Sequence, residues 1–155
     1  MKGIKNIRLK NYDYASNGYY FITICTNYER PYLTGKIRNV VTQFIELIPM
    51  KIKGVGIDYY VVMPTHVHII LVLDECNLKL GEVVRRLKAA TSRQSGIGLW
   101  QPNYYEHVIR NEKVLAKIRK YIQDNPLAEN LKFEQFYEEK EWPDKSGNYK
   151  GKYAR

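Results

Sequence analysis

Two histidines one residue apart, His66 and His68, interrupt an otherwise apolar, β-branched run, Tyr59-Tyr60-Val61-Val62-Met63-Pro64-Thr65-His66-Val67-His68-Ile69-Ile70-Leu71-Val72-Leu73. On a strand, side chains two apart share a face and lie ~7 Å apart along the chain, so both imidazoles can converge on one ligand while Val67 faces a core. A divalent metal suits them, because neutral imidazole is the commonest metal ligand and two ring nitrogens in so apolar a run need partners. The competing reading is structural: a strand histidine is usually a satisfied core or edge residue, and His-x-His alone is a weak motif.

The elements that must hold this pair follow from the patterning on either side. Tyr19-Tyr20-Phe21-Ile22-Thr23-Ile24-Cys25-Thr26 has the β-branched and aromatic content of a first strand. Val40, Val41, Phe44, Ile45, Leu47 and Ile48 recur at helical spacing within 39–51, although Pro49 conflicts with a helix that continues to Lys51. Gly54 and Gly56 precede a second strand over 57–63, and Pro64-Thr65 is short enough to make it an antiparallel hairpin with the histidine strand, 66–73. An amphipathic helix over 80–91 turns Leu80, Val83, Val84, Leu87 and Ala90 inward and Arg85, Arg86 and Lys88 outward. Residues 99–110 lead into a fourth strand. Asn111 is placed to N-cap a helix whose stripe is Val114, Leu115, Ile118 and Ile122, and which ends at Asn125 because Pro126 follows. Phe133–Tyr137 is expected to dock on the body.

Strand, helix, strand, strand, helix, strand is the βαββαβ order of a ferredoxin-like α+β fold with an antiparallel sheet, here with an additional C-terminal helix. At 155 residues and 45% hydrophobic content the chain suits one domain. That domain is expected over 1–137, with 1–17 a basic N-terminal arm and 138–155 a charged, mobile tail. Lys and Arg number 25 against 16 Asp and Glu, a net +9 that calls for a polyanionic partner. No apolar run approaches the ~18 residues of a membrane span, and the first residues lack the apolar core of a signal peptide, so an intracellular protein is expected. Cys25 and Cys76 have no CxxC spacing and read as free buried thiols.

Several motifs, in order, resemble one family. Met63-Pro64-Thr65-His66-Val67-His68 after Tyr59-Tyr60-Val61-Val62, then Trp100-Gln101-Pro102, Tyr105-Glu106-His107-Val108-Ile109-Arg110-Asn111 and Tyr121-Ile122-Gln123-Asp124-Asn125-Pro126 are similar to the HUH single-tyrosine transposases, in their REP-associated branch. The likeness runs from about Ile7 to Asn130. It implies a metal-dependent endonuclease and strand transferase acting on single-stranded DNA, often beside a hairpin. It also implies His66 and His68 as metal ligands, Tyr121 as the nucleophile on the additional helix, and Asn125, four residues later, as a third ligand. Residues i and i+4 share a helix face, so Tyr121 and Asn125 can address one point. Two imidazoles and an amide oxygen suit Mg²⁺ or Mn²⁺. A bacterial-type, nucleoid-associated protein of the cytoplasm, working as a monomer or a homodimer, is the corresponding expectation.

Other residues fit DNA more loosely. Arg85, Arg86, Lys88 and Arg93, together with Arg8, Lys10 and Tyr12 of the arm, are the expected DNA contacts. Lys117, four residues before Tyr121, is read as an ordinary solvated lysine, and His107 as structural. Two rival functions remain at this point: a non-catalytic single-stranded nucleic-acid binder using its aromatics as a stacking platform, and a small metal-dependent hydrolase unrelated to DNA.

Overall fold

A computed structural model describes residues 17–128 and 131–138. The arm residues Arg8, Lys10 and Tyr12 and nearly all of the expected tail lie outside these. The order is β1 (Gly18–Cys25), a 3-10 turn (Asn27–Glu29), α1 (Gly35–Lys51), β2 (Val55–Met63), β3 (His66–Leu73), α2 (Leu80–Ser95), β4 (Tyr105–Ile109), α3 (Glu112–Asp124) and a second 3-10 turn (Phe133–Phe136). The four strands form one sheet in the order β2-β3-β1-β4, every neighbouring pair antiparallel. The expected α+β architecture, with its βαββαβ element order and antiparallel sheet, is therefore present.

Each strand face has a separate core. Tyr20, Ile22, Ile24, Val67, Ile69 and Leu71 point to the side covered by α1 and α2, where they meet Val41, Ile45, Val83, Val84 and Leu87. Phe21, Cys25, Ile70, Tyr105 and Ile109 point the other way, under Val114, Leu115, Ile118 and Ile122 of α3 and under Phe133 and Phe136. Covering both faces explains why β3 reads as an almost unbroken apolar run, and the two-residue period leaves His66 and His68 on the α3 side.

Three local features refine the sequence reading. α1 continues through Pro49 to Lys51. The proline removes one donor but sits in the last turn, and Ile52 N still donates to Ile48 O at 2.9 Å, so the helix ends normally. Gly54 has φ +89, and a Cβ there would stand 2.7 Å from Cys76 Cα and 2.8 Å from Asp74 O; the start of β2 therefore requires glycine. In β2 the register slips between Ile57 and Tyr59, which oppose the consecutive Leu71 and Ile70. Asp58 is thus the extra residue of a β-bulge, which interrupts the two-residue alternation along β2.

Candidate active site

His66 and His68 are 1% exposed, with ring centroids 4.7 Å apart at an interplanar angle of 62°. β1 lies beside them: Thr23 pairs with His68 and Cys25 with His66. The Thr23 Oγ1 to His68 Nδ1 distance is 2.8 Å, and Thr65 Oγ1 lies 3.1 Å from His66 Nδ1. The remaining ring nitrogens both face the segment following α3, with His66 Nε2 at 3.0 Å from Pro126 O and His68 Nε2 at 2.7 Å from Ala128 O. A carbonyl can only accept. In a neutral ring each Nε2 therefore carries the proton and donates, and each Nδ1 accepts from a threonine hydroxyl. Phe21 stacks on His68 at 5.4 Å and closes the apolar side of the pair.

The helix after β4 delivers the other expected residues. Asn111 caps α3, its Oδ1 accepting from Val114 N at 2.8 Å. The apolar stripe Val114, Leu115, Ile118 and Ile122 is buried against the sheet, so Tyr121 sits on the flank of that stripe, half-buried. Its ring meets Phe136 edge-on, centroids 5.5 Å apart. Asn125 is exposed and closes the helix: its backbone N donates to Tyr121 O at 2.8 Å and its Nδ2 to the same oxygen at 3.1 Å. The structure thus brings the segment just past Asn125 onto the histidines, while the Asn125 amide itself is engaged with the Tyr121 carbonyl.

The donor chemistry fits a hard divalent ion in part. Both Nε2 atoms aim at one stretch of chain, and each Nδ1 has a hydroxyl that would accept its proton once Nε2 became the ligand, the outer support that metal-bound histidines use. Asn125 Oδ1 would be the amide's ligating atom. Among the described residues no group of three or more His, Cys, Asp or Glu gathers that could hold a metal ion.

The expected DNA contacts divide by environment. Arg85 and Arg86 are exposed and share Glu82, which accepts from Arg85 Nε at 2.9 Å and Nη2 at 2.6 Å and from Arg86 Nε at 2.9 Å. These bonds, Arg85's first, hold the Glu82 carboxyl down at about 2. Arg93 is exposed in the last turn of α2, and Lys117 is exposed on α3. Lys88 is different: its ammonium donates to the carbonyls of Gln101, Pro102 and Asn103 at 2.7, 3.1 and 3.3 Å, and burial lowers its pKa to about 8. With three donors on three carbonyls it holds the 101–103 loop rather than facing outward.

His107 is structural, as expected. Fully buried, it stacks on Phe133 at 4.1 Å and lies 2.6 Å from the Tyr137 hydroxyl, which in turn donates to Val108 O at 3.3 Å. Burial, and secondarily the charge of Arg110, pushes its pKa well below the ordinary imidazole value. The docking of Phe133–Tyr137 is likewise present. Sequence reasoning missed Thr23, hidden as one polar residue in an apolar strand, and the ion pair of Asp58 with Arg119, which spans 61 residues.

The His-x-His of β3 thus lies on a four-stranded antiparallel sheet, on the face that α3 covers. The chain belongs to the family described as "Transposase IS200 like", whose model matches residues 14–125. A Haemophilus influenzae protein of uncharacterised role is 39% identical over 159 residues, spanning 79% of this chain and 88% of that protein. The REP-associated tyrosine transposase of Escherichia coli K12 is 35% identical over 72 residues, 46% of this chain and 44% of its own. Among solved structures, a REP-associated tyrosine transposase bound to a REP hairpin superposes with a TM-score of 0.67 at 25% identity, covering 96% of this chain and 91% of that one.

Proposed function

We propose that this chain is a metal-dependent single-stranded DNA endonuclease and strand transferase that nicks and rejoins DNA beside hairpins through Tyr121. The observation that carries the reading is the contact between both imidazoles of the His-x-His pair and residues 126 and 128, immediately beyond the helix that bears Tyr121. Site and helix end are one assembly. Family membership supports transposase chemistry, and the hairpin-bound neighbour supports the choice of DNA partner.

In this mechanism the Tyr121 oxygen attacks a backbone phosphorus. The Tyr O–P bond forms as the P–O3′ bond breaks, leaving a 5′-phosphotyrosine, and the phenolic proton passes through solvent to the departing 3′-oxygen. Rejoining is the reverse, with a 3′-hydroxyl as nucleophile. A phenol is a poor nucleophile until it gives up its proton, so the attack depends on an activated phosphorus. His66, His68 and Asn125 would hold Mg²⁺ or Mn²⁺, which would supply neutralisation of the nonbridging oxygens and of the departing oxygen. Thr23 and Thr65 orient the two rings. Arg85, Arg86 and Arg93, with Arg8, Lys10 and Tyr12, are assigned to the DNA backbone, where affinity depends on phosphate neutralisation.

Incubation with labelled hairpin-bearing single-stranded DNA and Mn²⁺ is expected to give a covalent protein–DNA adduct that disappears in Tyr121→Phe and on adding EDTA. An adduct that persists in Tyr121→Phe would reassign the nucleophile. A second reading, a non-catalytic binder of single-stranded nucleic acid, draws on the hydrogen bonds that occupy both Nε2 atoms and on the capping role of the Asn125 amide. It requires hairpin binding indifferent to EDTA and to His66→Ala, with no cleavage by the unaltered chain.

A further inference from the structure

We infer that Asp58 and Arg119 form a clamp that sets the roll of α3 and thereby positions Tyr121, an inference that rests on the nuclease reading above. Asp58 is the bulge residue of β2: Ile57 before it packs with the core under α1 and α2, Tyr59 after it with the core under α3, and the Asp58 carboxylate meets Arg119 on that same α3 side. Arg119 meets it as a fork: Nε donates to Oδ1 at 2.9 Å and Oδ2 at 3.0 Å, and Nη2 donates to Oδ2 at 2.6 Å. The Asp58 side chain is 9% exposed and that of Arg119 42%. One end of the pair is therefore fixed in the body while the other reaches in from the helix surface.

The physical need for such a clamp comes from how α3 is otherwise held. Its stripe of Val114, Leu115, Ile118 and Ile122 packs on an apolar sheet face, and apolar burial is non-directional. It fixes which face of the helix lies on the sheet, while the finer roll is open to directional contacts. A bidentate guanidinium–carboxylate pair is directional. At about 100° per residue, Arg119 and Tyr121 fall on opposite flanks of the stripe centred near Ile118. Rotation that lifts Arg119 from the β2 edge must then press Tyr121 toward the sheet, and the reverse rotation raises it. Tying one flank to a buried carboxylate fixes the height of the tyrosine on the other. The Tyr121–Phe136 contact limits the motion from the far side.

The test compares Asp58→Ala, Arg119→Ala and the double variant in the full chain. Three readouts are taken: single-turnover adduct formation with hairpin DNA and Mn²⁺, hairpin affinity, and amide hydrogen exchange. Each single variant is expected to slow adduct formation about tenfold or more, since a ~1 Å misplacement of a reacting group can cost up to ~100-fold. The double variant should be no slower than either single one, the mark of one shared interaction. Hairpin affinity should stay within about twofold, while amides of 118–124 exchange faster and those of β1 and β3 keep their protection. A normal rate in Asp58→Ala overturns the clamp, as does a loss of affinity confined to Arg119→Ala, which would make Arg119 a DNA contact. Failure of the unaltered chain to form any adduct is a separate result and strikes the nuclease reading itself.

Discussion

Thr23 shows how one hydroxyl governs the chemistry available to His68. Its position in β1 opposite His68 gives the ring a fixed partner at Nδ1 inside a fully buried face. Replacing it with valine keeps the strand shape but leaves a buried nitrogen without its bond, a loss of roughly 1–3 kcal/mol. Thr23→Val should therefore lower the chemical denaturation midpoint by that equivalent. Calorimetric titration should also show Mn²⁺ affinity falling about 10-fold or more, as for other supports of ligating histidines. Unchanged Mn²⁺ binding in a folded Thr23→Val protein would remove the threonine from the site. Residue types alone marked His66 and His68, because two imidazoles in an apolar strand demand an explanation. Thr23 carried no such mark, since threonine is an ordinary strand former.

At the scale of elements, α3 has to end where the histidines are, and its two ends are fixed by different means. At its start, Asn111 supplies the side-chain acceptor that the first turn lacks. At its end, Asn125 folds back on Tyr121 O, and the chain continues across the histidine rings. Asn111→Ala should lower unfolding stability by about 1 kcal/mol, measured in urea, with exchange accelerated most in the first turn. A loss spread evenly along α3 would argue that the cap does more than satisfy Val114 N. The strands, both long helices and this cap were legible in the sequence, since period, capping residue and Pro126 all act locally. The bulge at Asp58 was not legible: two registers of β2 differ only in which partner residues they meet on β3.

Across the whole molecule, the face that carries α3 also buries a histidine with no assigned chemistry. His107 is held neutral by burial, so its folded pKa lies well below the ordinary value of about 6.5, while the unfolded chain titrates there. Above that pH neither state gains a proton and His107 imposes no cost. As pH falls through about 6.5 the unfolded chain takes up a proton that the folded chain refuses, so stability falls by up to ~1.4 kcal/mol per pH unit toward the folded pKa. Urea unfolding followed from pH 7.5 to 5.5 should show that decline, flattened in His107→Gln. An identical slope in the variant would place the proton uptake elsewhere.

The sequence by itself determined what depends on near neighbours: the β-branched run with its histidines, the 3.6-residue stripe of α3, the positive balance and the motif order that led to the transposase family. It also placed Tyr121 and Asn125 on one helix. Tertiary structure alone decided what the two histidine rings touch, where the period of β2 slips, and which cation of α2 turns inward. Lys88 is the plainest example. Its spacing put it with Arg85 and Arg86 on the outer face, yet the loop after α2 folds over it and takes all three of its hydrogens. The physical reason is common to all these cases. Periodicity assigns a residue to a face, whereas a hydrogen-bond partner is chosen by chain segments tens of residues away whose approach no local pattern encodes.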